Sequence, residues 1–246
     1  MEDWLERTRL LWGDRALDRL ARARVAVLGL GGVGSAVVEG LGRAGVGHIL
    51  GVDQDCFSPS NRNRQLLATA ETVGRAKCQV AGERLRAINP QIDYQAAREF
   101  YLPENRDFLF AYRPTLVVDA IDTVTAKIDL AVQCRERGIP LLACLGTGNR
   151  NDPSQLRLGT IADTAGSGCP LARVLRRELR RRGILDLPVV YSLETAAPLC
   201  AEDAHGRHSP ASGPFVPPAA GLLLAYGAVK TLLSLPDPQP AKGDLP

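Results

Sequence analysis

Three glycines in the run VAVLGLGGVGSAVVEGLG stand at the spacing G-x-G-x-x-G: Gly29, Gly31 and Gly34. Glycine at the first position permits a tight turn, and at the second it lets a phosphate approach the backbone. At the third it lets a helix close onto a strand. The helix that follows offers free N–H groups and a positive dipole end to an anion. Glycines used only for packing would give the same spacing. The motif therefore indicates a Rossmann-like nucleotide site and leaves the nucleotide open. A Walker P-loop is excluded, because G-x-x-x-x-G-K-[ST] does not occur.

The segment VDQDCFSPSNRNRQLLATAETVGRAK, which comes next, narrows the choice. A dinucleotide site needs one acidic residue after the second strand and little further charge. Here Asp53, Asp55, Asn61, Arg62, Asn63, Arg64 and Gln65 are followed by Lys77. Two arginines in a polar loop are more often solvated surface than site. Beside a glycine turn they read instead as phosphate ligands. A guanidinium and an ammonium suit a triphosphate under nucleophilic attack, where negative charge builds up. Asp53 stands where a ribose-binding carboxylate belongs, and Asp55 is suited to ribose or Mg²⁺. This favours ATP over NAD.

The elements that must position these residues alternate regularly. RVAVLGL reads as a buried strand, VGSAVVEGLGRAGV as the helix it feeds, and HILGVD as a second strand ending on Asp53. A long helix is predicted from Gly74 to Ile88, stopped by Asn89 and Pro90. QIDYQAAREF and PTLVVDAID read as strands, the second ending on Asp122. A helix from Lys127 to Arg137 and the strand PLLACLG follow. This pattern predicts an α/β fold, a Rossmann-like doubly wound, mostly parallel sheet. An N-terminal helical segment (1–23) precedes the nucleotide-binding core (24–150). Residues 151–235 form an irregular C-terminal extension with a basic helix and a last helix. The Pro-rich tail 236–246 is expected to be disordered.

The chain has 246 residues with a formal net charge of +3, so any affinity for nucleic acid must come from a local patch. Its six cysteines never form CxxC, which argues against a zinc knuckle or a disulfide framework and for a reducing compartment. The N-terminus is charged from residue 2, unlike a signal peptide. VPPAAGLLLAYGAVKTLLSL opens on prolines and carries Lys230, so it reads as a buried helix rather than a membrane span. A cytoplasmic protein without stable membrane insertion is expected. In PLARVLRRELRRRG, Arg173, Arg176, Arg177 and Arg180 share one helical arc opposite Leu171, Leu175 and Leu179. Such a helix suits a phosphate backbone. A solvated surface helix is the plain alternative.

GLGGVGS, VDQDCFSPSNRNRQ, TVGRAK, INP and VVDAIDTVTAK, in this order and spacing, resemble the ubiquitin-activating-type adenylyltransferases of the ThiF/MoeB/HesA group. The resemblance implies a single such domain over residues 1–235 and a homodimer. It implies that Gly32 and Asp53 hold ATP, with Asp53 on the ribose, while Asn61, Arg64 and Lys77 face the phosphates. Asp122 would be the Mg²⁺-associated carboxylate. Arg7, with Arg9 as the alternative, would reach the neighbouring subunit's ATP. The second half resembles the tRNA threonylcarbamoyladenosine dehydratases, through LGTGNRNDPSQLRLGTIADTAGSGCPLARVLRRELRRRGI, LPVVYSLE and SGPFVPPAAGLLLAYGAVKTLL. This implies ATP-dependent activation of a tRNA-borne carboxylate, then cyclisation. Adenylation of the Gly-Gly tail of a sulfur-carrier or ubiquitin-like protein is the rival reading; the zinc-binding CxxC pairs common in that branch are missing. HSPASGPF has no cysteine before the last helix, so a sulfur-transfer partner stays unassigned. Cys169 reads as structural, and a monovalent cation stands as a further candidate ligand.

Overall fold

The computed structural model describes residues 3–198, 200–202 and 208–236. Two short helices, α1 (Glu6–Trp12) and α2 (Asp14–Arg22), lead into β1 (Arg24–Leu28), α3 (Gly34–Arg43) and β2 (His48–Val52). Then come α4 (Lys77–Ile88), β3 (Asp93–Ala97), α5 (Asp107–Ala111), β4 (Leu116–Asp119), α6 (Val124–Glu136) and β5 (Leu141–Cys144). The last part holds β6 (Leu156–Thr160), α7 (Pro170–Arg181), β7 (Pro188–Ser192), the small pair β8 (Cys200–Glu202) and β9 (His208–Pro210), and α8 (Val216–Ser234).

Seven strands form one sheet in the order β3-β2-β1-β4-β5-β7-β6. All pairings are parallel except that of the edge strand β6 with β7. Strand β1 is buried on both faces because its side chains alternate between two cores. Val25 and Val27 join the core under α2, α3, α4 and α8, whereas Ala26 and Leu28 join the core under α5, α6 and α7. The doubly wound expectation holds. Strand order reverses between β1 and β4, whose ends meet at Leu28 and Asp119. A ligand crevice belongs at the carboxyl ends of the strands flanking such a reversal.

Several boundaries differ from the sequence reading. Helix α4 starts at Lys77 rather than Gly74: Gly74 has φ +84°, and bridges from Phe57 to Val73 and from Cys56 to Ala76 hold the preceding segment extended. Strand β4 ends at Asp119, three residues before Asp122, because Asp119 Oδ1 accepts the Ile121 N–H and turns the chain. Helix α6 begins earlier than expected, at Val124. Helix α8 is long and apolar enough to cross a membrane, yet 56% of its apolar window is buried against the sheet and α3. Its Gly221 sits so close that a Cβ there would stand 2.2 Å from the Val33 carbonyl oxygen. Residues 237–246 of the Pro-rich tail lie outside the described residues.

Candidate active site

A cleft of about 300 Å³ opens at the strand-order reversal. The turn after β1 forms its floor. Gly29 has φ +84°, and a Cβ there would lie 2.8 Å from the Ala120 carbonyl oxygen. Gly34 does not line the cleft; a Cβ on it would overlap the Gly29 carbonyl oxygen at 1.7 Å, so it serves helix–strand packing. Gly31 is the opposite case. A Cβ there would meet only Gln65 Nε2, at 3.7 Å, and would otherwise stand in the cleft. At Gly32 a Cβ would stand 2.9 Å from Pro217 Cβ. Among the described residues, the N–H groups from Gly31 to Gly34 have no acceptor, while those of Ser35 and Ala36 bond back into the helix. That is an anion cradle.

Asp53 sits under this turn. Its Oδ2 accepts the Leu30 N–H at 2.7 Å and its Oδ1 accepts the Asp55 N–H at 2.9 Å. Burial pushes its carboxyl above the ordinary 3.8, partly offset by the Lys77 cation. Lys77 is buried at the start of α4; its Nζ donates to Asp55 Oδ2 at 2.9 Å and stands 3.8 Å from Asp53 Oδ2. Arg64 is half-buried on the opposite wall and donates to the Ser60 carbonyl oxygen at 3.0 Å and Asn63 Oδ1 at 2.9 Å. Asp122 is exposed on the third wall, on the turn after β4. The geometry therefore gathers two cations, two carboxylates beside Lys77, and two further carboxylates, Glu99 and Asp122, around free N–H groups. Such an arrangement stabilises charge on a phosphate ester.

Not every candidate residue is here. Asn61 lies off the cleft, and its Oδ1 accepts the Ser58 N–H at 3.0 Å, which caps a short 3₁₀ turn. That local turn chemistry uses the acceptor end of the side chain. Arg7 is exposed on α1 and also lies off its own chain's cleft; Arg9 is held by Asp3 and Asp14. Helix α7 partly departs from the expected arc. Leu175 and Leu179 are buried as the spacing requires, and Arg173, Arg177 and Arg180 are exposed. Arg176 instead points inward, donating to the Thr164 carbonyl oxygen at 2.7 Å and to its Oγ1 at 2.9 Å. Glu178 gathers Arg177, Arg181 and Arg182, and the Arg182 hydrogen bond foremost holds its carboxyl below the ordinary range. The arginines thus have an internal anion, which relieves part of the repulsion their number implies. No α7 residue lines the cleft, but the helix starts near it: Cys169 Sγ would lie 3.3 Å from a Cβ on Gly146, next to the cleft residue Thr147.

Gln65, Tyr101, Thr147, Ser212 and Pro217 also line the cleft. Gln65 is buried, and its Oε1 has no partner among the described residues. It belongs to the same polar segment as Arg64, so composition pointed toward it. Tyr101, Thr147 and Ser212 come from separate loops and Pro217 from the first turn of α8, and no local pattern marks them.

The profile of the ThiF family matches residues 5–242. The chain belongs to the ThiF family. Within it, this ThiF-family chain is 37% identical over 239 residues to the tRNA threonylcarbamoyladenosine dehydratase of Bacillus subtilis strain 168, covering 92% of this chain and 93% of that one. Its fold superimposes on the E. coli tRNA N6-threonylcarbamoyladenosine dehydratase TcdA solved with AMP, with a TM-score of 0.85, 32% identity, and coverage of 95% and 96%. The same E. coli protein solved with ATP gives a TM-score of 0.83 at 32% identity, with the same coverage of both chains. The similarity to the dehydratase branch spans both the glycine-turn half and the α7–α8 half of this ThiF-family chain.

Proposed function

We infer that the protein is an ATP-dependent tRNA threonylcarbamoyladenosine dehydratase. It activates the carboxylate of the threonylcarbamoyl group beside the anticodon and promotes its cyclisation. The observation that carries this is the cleft at the strand-order reversal, which joins the N–H cradle to Asp53, Lys77, Arg64 and Asp122, in a chain similar over nearly its whole length to such dehydratases. Asp53 receives the ribose hydroxyls of ATP, and the N–H groups from Gly31 to Gly34 receive phosphate oxygens. Arg64 and Lys77 steady the charge that builds as a substrate carboxylate oxygen bonds to phosphorus and the leaving group departs, pyrophosphate for attack at the α phosphorus or ADP for attack at the γ phosphorus. The mixed anhydride is then attacked from within the same substrate, which closes a ring and releases the nucleotide monophosphate or phosphate. Positioning and charge stabilisation supply the catalysis.

Mg²⁺ fits this site as a guest of the nucleotide. Among the described residues no cluster of three acidic, histidine or cysteine side chains forms a metal cage. One or two carboxylates plus substrate phosphates are the ordinary Mg²⁺ environment. Asp122, exposed on the cleft wall and not paired with Lys77 as Asp55 is, is suited to hold it, and the ion would neutralise phosphate charge.

Helix α7 receives the tRNA backbone through Arg173, Arg177 and Arg180, and its start beside Thr147 lets a bound tRNA reach the cleft. A homodimer accounts for α1, which buries no residue and leaves Leu10 and Leu11 84% and 75% exposed. In that dimer Arg7 reaches the neighbouring nucleotide. The substrate class assigns the protein to the cytoplasm.

The test compares ATP turnover with tRNA carrying the threonylcarbamoyl mark and with unmarked tRNA. Marked tRNA is expected to stimulate turnover by about tenfold or more. Equal rates, or stimulation only by a Gly-Gly-tailed carrier protein, overturn the assignment. Release of AMP or of ADP reports which phosphorus is attacked.

A further inference from the structure

The most deeply buried ion pair of known geometry lies behind the cleft rather than in it. Lys127, on the first turns of α6, and Asp119, at the end of β4, are each only 1% exposed, with Nζ 2.9 Å from Oδ2. The same Nζ donates to the Cys144 carbonyl oxygen at 2.8 Å, at the end of β5. One ammonium thus ties two adjacent strand ends on the side where the cleft opens. Among the described residues Asp119 pairs with no other cation, and its other oxygen accepts the Ile121 N–H at 3.1 Å.

That hydrogen bond shapes the turn that matters. Ala120, Ile121 and Asp122 form the third wall of the cleft. The Ala120 carbonyl oxygen also abuts Gly29, and its Cβ abuts Gly34, so this wall and the phosphate turn are packed together. A buried ion pair contributes little net stability, and well-packed apolar residues of similar size commonly replace one without loss. An apolar pair at 119 and 127 would fill the same space. It would supply no acceptor for the Ile121 N–H, and nothing would fix the angle at which the chain enters Asp122.

We propose that Lys127 and Asp119 are positioning residues for the phosphate end of the cleft: their pairing fixes the 120–122 turn and so sets where Asp122 stands relative to the glycine turn. The inference rests on the reading of Asp122 as the carboxylate that holds Mg²⁺ with ATP. Lys127 touches neither nucleotide nor substrate. It acts through Asp119, and Asp119 acts through the backbone of Ile121.

The test uses Asp119→Leu/Lys127→Met, Asp122→Asn, and the three substitutions combined. ATP dissociation constants are measured with Mg²⁺ and with EDTA, alongside melting temperature and turnover with marked tRNA. The apolar pair is expected to melt close to the parent protein and to bind ATP in EDTA within about threefold of it. Its Mg²⁺-dependent gain in ATP affinity should shrink by about tenfold, and kcat should fall by about thirtyfold or more. Added to Asp122→Asn, the pair should change either quantity by less than about twofold, since residues acting through one another are not additive. A purely structural role would add in full. That additivity, or an apolar pair that keeps both the Mg²⁺ effect and kcat within about threefold, overturns the proposal. So does a parent protein whose ATP affinity ignores Mg²⁺. If the apolar pair does not fold, Asp119→Asn/Lys127→Gln, neutral but still able to accept the Ile121 N–H, tests the converse. It should keep the Mg²⁺ effect and kcat within about threefold, and a larger loss of either overturns the proposal. The nucleotide measurements need no tRNA, so a protein that binds Mg²⁺-ATP but ignores marked tRNA overturns the proposed function and leaves this test standing.

Discussion

The glycine-turn region and the arginine helix both present positive charge, but they are built differently. Around the turn, Lys77, Asp53 and Arg64 are buried or half-buried and held by short internal bonds: Lys77 to Asp55, Asp53 to the Leu30 N–H, Arg64 to the Ser60 carbonyl oxygen. On α7 the arginines are mostly exposed, and Glu178 already neutralises part of their charge. Fixed charges in a low-dielectric cleft act strongly on a developing charge, whereas exposed ones are screened within about 10 Å at ordinary salt. The first region is suited to chemistry and the second to reversible attraction of a polyanion.

The comparison breaks most sharply at the glycines. Gly34→Ala is expected to yield no folded protein, because its Cβ would lie 1.7 Å from the Gly29 carbonyl oxygen. Gly31→Ala should fold, with a melting temperature near that of the parent, and lose ATP affinity by about tenfold or more in a titration, since its methyl group enters the phosphate cradle. Next in size, Lys77→Ala should lower kcat for ATP turnover by about a hundredfold, the usual cost of one lost transition-state charge donor. Retained turnover would place the chemistry elsewhere.

On α7 smaller effects are expected. Arg173→Ala/Arg180→Ala should weaken tRNA binding and flatten its dependence on log salt by about two, one for each lost phosphate contact, while ATP affinity stays the same. Arg176→Ala should act on stability instead, by about 1–2 kcal/mol in chemical denaturation, because Thr164 is buried and would lose its donor. If Arg176→Ala moves the salt slope as much as the exposed pair does, the division of the helix into anchor and contact fails. The smallest effect is on pH. Because burial raises the Asp53 carboxyl, it takes up its proton above the ordinary 3.8 as pH falls. A protonated carboxyl accepts hydrogen bonds poorly, so ATP affinity should begin to fall on the acid side above that pH, measured by titration at constant salt.

What was legible in the chain is what local physics fixes. The apolar runs and glycine spacing located β1, α3 and β2, because strand burial on both faces and a tight turn each leave a pattern a few residues long. Gly29, Gly31, Asp53, Asp55, Arg64 and Lys77 stand out from that neighbourhood, Gly32 only through the family resemblance, and all meet in one cleft. Errors arose where a turn intervened. Asp122 was taken to end a strand because DAID offers two carboxylates three residues apart, and only the hydrogen bond to Ile121 shows that the first ends the strand and the second enters the cleft. Arg176 was placed on the anion-facing arc by helical projection, which knows nothing of Thr164. Asn61 looked like a phosphate ligand because an amide in a polar loop gives no sign of whether it will cap a turn.

By itself the sequence determined the main strands and helices through β5, the phosphate turn and the charges that follow it, since these depend on residue type and on neighbours close in the chain. It did not determine strands β6 and β7, which extend the main sheet from the stretch expected to be irregular. Only the tertiary structure decided which side chains share a cavity. Tyr101, Thr147 and Ser212 reach the cleft from three separate loops and Pro217 from the first turn of α8, and Lys127 finds Asp119 and Cys144 across two strand ends. The physical reason is that a buried charge is tolerated only where its partner is supplied, and that partner comes from the packing of elements distant in the chain.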